Sequence, residues 1–302
     1  MASFNPPWHG LPSADGPVCK LTALNPSTLF LRDELVIDPP IEHGSRRPVL
    51  AFLIEHNQLD KRILFDLSLF ENWRDWLGEQ AGGYDAEFKV EIAKEGNLVD
   101  QLRRINIEPE QIDVVILSHK HFDHTGQPSA FKNAQIWIHN DEKDAVPALK
   151  SVSADAIKPF TFDTTETKPI ASFDHSLDMF GDGSIVIVSV PGHTPGHVGA
   201  MVRTGEDDFI ILGADGCHHR LLLNGTKEDE KQYKLGRAKD EPMYEDYDVA
   251  TRSLDRLRRA RAEPNVLVLT AHDESQWGAW VKTEGKSVIE LNGWRERGLK
   301  EM

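Results

Sequence analysis

The sequence predicts an α/β fold, and three observations carry that reading. Short apolar, β-branched runs alternate along the chain with segments of helical spacing. Several of those runs stop abruptly at a histidine or an aspartate. No internal repeat or low-complexity tract interrupts the alternation.

Taken in order, RPVLAFLIE and KRILFDLSLF are two apolar runs separated by HNQLD, a hairpin-like pair. LVDQLRRINI has helical spacing, and QIDVVILS is a short buried strand that ends where a group of histidines begins. AQIWIHN is another strand, followed by DEKDAVPALK, read as a helix. GSIVIVSVPGH and DDFIILGADG are strands that end in glycine-containing turns. YEDYDVATRSLDRLRRARA is a long helix whose charged arginine face reads as solvated, and NVLVLTAHDE is the last clear strand. The stretches 150 to 170 and 224 to 242, rich in polar and charged residues, read as surface excursions.

Composition limits the function. The 302 residues suit one large domain or two small ones and can bury a substantial core. A formal charge of −15 repels phosphate backbones and anionic lipid, so neither nucleic acid nor membrane is an expected partner. Two cysteines, Cys19 and Cys217, make neither a disulfide framework nor a cysteine zinc site. The opening MASFNPPWHG lacks a basic segment followed by an apolar run, and no stretch of about 18 apolar residues occurs. A soluble cytoplasmic protein acting on a small molecule is the expectation.

The chemistry is concentrated in residues 118 to 126, SHKHFDHTG, which holds His119, His121, Asp123 and His124. In an extended loop, side chains at i and i+2 point the same way, so His119 and His121 can grip one ion together. Asp123 and His124 lie further round the turn and can serve a second position. Imidazole suits zinc, iron, nickel or copper, and a carboxylate adds charge and can bridge. His119, His193, Asp215 and His272 each fall just past a predicted buried strand, where loops carry chemistry on rigid anchors. Asp66 is a candidate partner for fixing a ligand's tautomer.

The run HKHFDH, then PGHTPGH, LGADG and LTAHDE, resembles the metallo-β-lactamase fold superfamily. ILFDLS resembles that fold's early strand with its aspartate, although Leu67 and Ser68 stand where the family has threonine and glycine. The resemblance spans roughly residues 48 to 275. It implies a four-layer αββα sandwich with metals at one edge of the two sheets, and all of residues 1 to 302 as one hydrolase domain. It assigns His119, His121 and His193 to one metal, Asp123, His124 and His272 to a second, and Asp215 to a bridge between them. Two zinc ions are the expected cofactors, with room for a bridging hydroxide, and Asp123 is expected to carry a proton to the leaving atom.

Within the superfamily, flavodiiron proteins place Glu where His121 stands, and true β-lactamases lack the bridging aspartate. The pattern looks closest to N-acyl homoserine lactone lactonases and relatives that open lactones, lactams and cyclic carbamates. Glyoxalase II thioesterases match nearly as well, and mononuclear iron dioxygenases share a similar loop set. A binding protein with a degenerate site is the third class, against which the complete donor set argues. Many of the lactonases carry a tyrosine three residues after the bridging aspartate, and His218 holds that position here. His218 is therefore expected to donate a hydrogen bond to the substrate carbonyl or its oxyanion. His197, the second histidine of PGHTPGH, is expected to make a structural hydrogen bond rather than bind metal.

Two pairs of tryptophans sit at i, i+3: Trp73 with Trp76, near Phe70, and Trp277 with Trp280. Such pairs usually pack in a core. Trp277, five residues past His272, is the one expected to line the substrate pocket. Phe160 and Phe162, in the 150 to 170 excursion, are expected to cap it as part of a lid.

Overall fold

The computed structural model describes residues 4–13, 15–238, 243–284 and 287–301. One sheet runs in the order Val288–Glu290, Lys20–Arg32, Gly44–His56, Lys61–Phe65, Val114–Leu117, Gln135–His139, Ile157–Phe160, with Glu91–Ile92 added against Lys20–Arg32. The other runs Val266–Leu269, Phe209–Leu212, Val198–Arg203, Ile185–Ser189, Phe173–Asp178, Lys168–Ile170.

The central strands Val114–Leu117, Ile185–Ser189, Phe209–Leu212 and Val266–Leu269 are apolar because both faces of each are covered. Val114 and Ile116 point into the space between the sheets, while Val115 and Leu117 point outward. Ile185 and Ile187 likewise face inward, and Val186 and Val188 outward. The inner space is filled by Phe52, Ile54, Ile63 and Phe65 from the first sheet against Val198, Ala200, Ile210 and Leu212 from the second. Leu98 and Leu102 of the helix Leu98–Arg104 cover the outer face of the first sheet. Leu254 and Leu257 of the helix Tyr247–Arg261 cover that of the second. Helix, sheet, sheet, helix is the four-layer αββα sandwich the motifs implied.

The same connectivity sets where the site falls. Lys61–Phe65, Val114–Leu117 and Gln135–His139 are mutually parallel, so their C-terminal ends share one edge. Phe209–Leu212 and Val266–Leu269 are also parallel, and Ile185–Ser189 runs the same way through two antiparallel pairings. At that edge the sheets are tied to one another. Val198 N–H donates to Ser118 O at 2.9 Å, and Leu50 N–H to Ala271 O at 3.1 Å.

Four sequence readings change. Lys20–Arg32, thirteen residues, is a central strand that the hydrophobic pattern concealed, because Asn25 and Pro26 interrupt it; its register shifts between Leu24 and Ser27, where Pro26 owes the ladder no N–H. The helix read over 141 to 150 is a short turn, Asn140–Lys143, and a separate 3-10 turn, Pro147–Ser151, since a proline cannot continue the first. The 150 to 170 excursion is not a lid. Its strands Ile157–Phe160 and Lys168–Ile170 lie on the edges of the two sheets and carry the chain from one to the other. In 224 to 242, Lys227–Gln232 is a helix capped by Thr226, Lys234–Leu235 pairs with Ile37–Asp38, and residues 239 to 242 lie outside the described residues. No helix among the described residues is long and apolar enough to cross a membrane.

Candidate metal centre

Four strand ends deliver the donors. His119, His121, Asp123 and His124 follow Val114–Leu117, His193 follows Ile185–Ser189, Asp215 follows Phe209–Leu212, and His272 follows Val266–Leu269. Ala214, in the turn before Asp215, has φ of 43°, and Asp66, just past the neighbouring strand Lys61–Phe65, has φ of 59°, left-handed values that each cost about 1–3 kcal/mol outside glycine. Gly192 is obligatory for another reason. Its φ is 120°, and a Cβ there would meet Ala250 N at 2.2 Å, so glycine alone lets the helix Tyr247–Arg261 seat its first turn beside His193.

The seven donors form two groups that share Asp215: His119, His121, His193 and Asp215, and Asp123, His124, Asp215 and His272. In the first, His121 Nδ1 is 3.0 Å from His119 Nε2 and 2.8 Å from His193 Nε2. Asp215 Oδ2 is 3.3 Å from His193 Nε2 and 3.7 Å from His119 Nε2. In the second, Asp215 Oδ1 is 3.2 Å from His124 Nε2 and 3.3 Å from His272 Nε2. Asp123 Oδ2 is 3.5 Å from the first of those nitrogens and 3.4 Å from the second. A tetrahedral ion with bonds of about 2.0–2.1 Å has donor–donor edges of roughly 3.3–3.4 Å. The second group, at 3.2–3.5 Å, matches the size of such an ion, and the first, at 2.8–3.7 Å, brackets it. His124 Nε2 and Asp215 Oδ1 are buried without a hydrogen-bond partner, which is the state of donors aimed at a cation.

The electrostatics agree. Burial, reinforced by the neighbouring histidines, holds His119 far below its ordinary pKa; His193 is held there by burial and His121. These rings are neutral, as metal ligands must be. For His124 burial acts downward, but Asp215, Asp123 and Asp66 together lift it well above the usual range. Asp215 and Asp123 lift His272 to about 9 against the same burial. Burial pushes the Asp215 carboxyl up, and the charges of His124 and His272, with the hydrogen bond from His124, outweigh it and hold it well below its usual range. The second group thus concentrates negative charge that a cation would neutralise.

The ring nitrogens that His119, His124, His193 and His272 turn away from the cluster each have a partner. Asp66 Oδ2 accepts from His124 Nδ1 at 2.8 Å and from Ser118 Oγ at 2.8 Å, while its Oδ1 accepts from Ser118 N at 2.7 Å. His193 Nδ1 donates to Met243 O at 2.6 Å, and His272 Nδ1 to Pro48 O at 2.7 Å. His197 stands in neither donor group: its Nδ1 donates to Val190 O at 2.9 Å and its Nε2 accepts from Asp215 N at 3.0 Å. It fixes the backbone of Asp215. His218 is buried beside the centre, its Nε2 3.0 Å from Asp215 Oδ2 and its Nδ1 2.9 Å from Tyr244 Oη. An ionised carboxylate only accepts, so Nε2 carries the proton; burial lowers the His218 pKa, so the ring is neutral and Nδ1 accepts from the Tyr244 hydroxyl.

A cavity of about 700 Å³ opens above the donors. Its walls include Leu29, Leu31, Phe70, Trp73, Tyr84, Phe88 and Phe122, and its floor His121, Asp123, His193, Asp215, His218 and His272. Phe122 is the hub of the aromatic wall, with ring centroids 4.8 Å from Tyr84 and 5.2 Å from Trp73. The expected pocket residues are elsewhere. Trp277 packs with Trp280 and Trp294 in the core between the sheets, because the i, i+3 face of the helix Glu274–Glu284 turns inward. Phe160 and Phe162 pack on Trp137 and His139, with Phe162 stacked 5.7 Å from the His139 ring. Trp73 took the role expected of Trp277; the Trp76 side chain lies outside the described residues. Phe122 was visible in the sequence, inside HKHFDH. Tyr244 carried no sequence signal.

Residues 44–213 match the family model described as the metallo-beta-lactamase superfamily. The chain is 27% identical over 332 residues to the cytochrome P450 monooxygenase mpaDE of Penicillium roqueforti, covering 97% of itself and 37% of that protein. It thus spans little more than a third of that relative's length. The metallo-hydrolase mfmC of Annulohypoxylon moriforme is 27% identical over 345 residues, with 98% and 88% covered. The N-acyl homoserine lactonase AttM of Azorhizobium caulinodans is 27% identical over 241 residues, with 79% and 86% covered. Among solved structures, a variant of AiiA from B. thuringiensis with N-decanoyl-L-homoserine at its active site superposes with a TM-score of 0.65 at 19% identity, covering 87% of this chain and 96% of that one. Its likeness is one of fold.

Asp66→Ala would strip His124 and Ser118 of their shared acceptor. Loss of a partner of this kind typically weakens metal binding about 10–100-fold. Competition with a chromophoric chelator measures it, and an unchanged affinity would remove Asp66 from the support of the centre.

Proposed function

Since the chain belongs to the metallo-β-lactamase superfamily, we propose that it is a dinuclear zinc hydrolase that opens a small cyclic ester or amide: a lactone, a γ-lactam or a cyclic carbamate. The observation that carries this reading is Asp215, whose two oxygens face different donor groups of zinc-like dimensions. Two such ions supply hydroxide at neutral pH and an electrophile for the substrate carbonyl. His119, His121 and His193 would hold one ion and Asp123, His124 and His272 the other, bridged by Asp215. The lactonase among the relatives supports the ring-opening chemistry.

The chain's own groups do the rest. The aromatic wall of Trp73, Tyr84, Phe88 and Phe122 receives the apolar part of the substrate and keeps water from it. Asp123, ionised because His124 and His272 outweigh its burial, sits on the cavity floor and is placed to carry a proton to the leaving atom. That transfer is worth about 10²–10⁴-fold. His218 presents its Nε2 proton beside Asp215 on the same floor, where it can also reach a carbonyl oxygen as charge develops. The proposed unit takes in the whole chain, because Lys20–Arg32 pairs with Val288–Glu290 in one sheet.

Metal analysis of the purified chain should give two zinc ions per molecule. A panel of a lactone, a γ-lactam, a benzoxazolinone-type carbamate and S-lactoylglutathione should show turnover of one of the first three. One iron per chain with oxygen uptake would overturn the reading in favour of dioxygenation, and turnover of the thioester alone would reassign the enzyme to the glyoxalase II type.

Loss of an oxyanion donor costs about 10²–10³ in kcat. Because His218 shares its proton with Asp215, we expect His218→Ala to lower kcat at least tenfold with both metals retained. Unchanged kcat would remove His218 from catalysis, and loss of a metal equivalent would make it a support for Asp215 alone.

A further inference from the structure

Glu142 is fully buried and takes no part in the chemistry described so far. It lies in the short turn Asn140–Lys143, beyond the strand Gln135–His139. Its two carboxylate oxygens reach two different loops: Oε2 accepts from Lys120 N at 3.1 Å, and Oε1 from Gly196 N at 2.7 Å. Lys120 stands between His119 and His121, and Gly196 lies three residues after His193. One carboxylate therefore joins the backbones that carry all three histidines of the first donor group.

Gly196 is shaped for this contact. A Cβ there would lie 2.5 Å from His139 Nδ1, 2.8 Å from Glu142 Cγ and 3.0 Å from Glu142 Oε1. The second glycine of PGHTPGH thus leaves the space the carboxylate occupies, which gives that residue a reason the metal-ligand reading did not supply. The second donor group is braced elsewhere, by Asp66 on His124 and Pro48 O on His272.

We infer that Glu142 is a positioning residue for the first metal site: it clamps the His119–His121 loop to the His193 loop and sets the spacing of their three ring nitrogens. This rests on the dinuclear reading above. The physical argument is one of desolvation. A buried carboxylate is held in place only where donors satisfy it, and here the donors are two backbone N–H groups whose separation it then fixes. Glutamine has nearly the same shape, but its NH₂ would face a backbone N–H, so only one of the two bonds survives.

The test separates the two sites. In a His272→Ala background the first site is the intact one, and adding Glu142→Gln should weaken zinc binding there about 10–100-fold. In a His193→Ala background the second site is the intact one, and the same change should alter its affinity by less than about threefold, within ordinary context effects. Equal losses in both backgrounds, or none in either, would overturn the inference. Amide hydrogen exchange of the metal-free chain gives an independent readout. Glu142→Gln should speed exchange at Lys120 and Gly196 and leave Val198, bonded to Ser118 O, as protected as before. Protection retained at Lys120 and Gly196 would also overturn it. If Glu142→Gln does not fold, Glu142→Asp, one methylene too short to span both loops, should show the same signs. Should the wild-type chain bind no metal, the dinuclear reading fails while the exchange experiment still decides whether Glu142 clamps the loops.

Discussion

Asp215 is the carboxylate on which two sets of histidines converge, and much of the surrounding structure serves to hold it there. It is buried and ionised, kept so by the positive field of His124 and His272. Its backbone N–H is fixed by His197, and its Oδ2 faces the His218 Nε2 proton. Each oxygen then faces a separate set of imidazoles at distances close to the donor edges of a small cation's coordination shell. His119 and His193 spend their Nδ1 protons on Ser118 Oγ and Met243 O, so their Nε2 lone pairs both face the cluster, where a cation would reconcile them.

The fold makes this convergence possible by bringing strand ends together. Parallel strands in each sheet end on the same edge, and two backbone hydrogen bonds lock those edges to one another. The donors therefore come from rigid backbone although they are spread over more than 150 positions of sequence, from His119 to His272. Glycine enters where the chain leaves no room for a Cβ: Gly192 against the main chain of the helix Tyr247–Arg261, and Gly196 against the side chains of His139 and Glu142. The hydrophobic sandwich supplies the stability that lets seven polar donors sit together without their own favourable packing.

What the sequence disclosed and what it hid divide along physical lines. The seven donors of the two clusters were legible because four of them lie within six positions, and the remainder follow apolar runs too short to be helices. His197, four residues past His193 through a Pro-Gly turn, lies in neither donor group. The strand Lys20–Arg32 was illegible because Asn25 and Pro26 break its alternation. The two tryptophan pairs have identical spacing, and spacing says that two rings share a helix face but not which way that face turns; so the sequence points to Trp277 as a pocket wall while Trp73 lines the cavity. Glu142 and Tyr244 meet the site only through folding, across 22 or more residues of chain, and carry no local pattern.

The central claim is that two ions sit on either side of Asp215. Anomalous diffraction at the zinc edge from crystals grown with the metal tests it most directly. The account predicts two peaks separated by roughly 3.5–4 Å, as in other two-metal hydrolytic sites, one among His119, His121 and His193 and one among Asp123, His124 and His272. A single peak, or a second one away from Asp215, would contradict it.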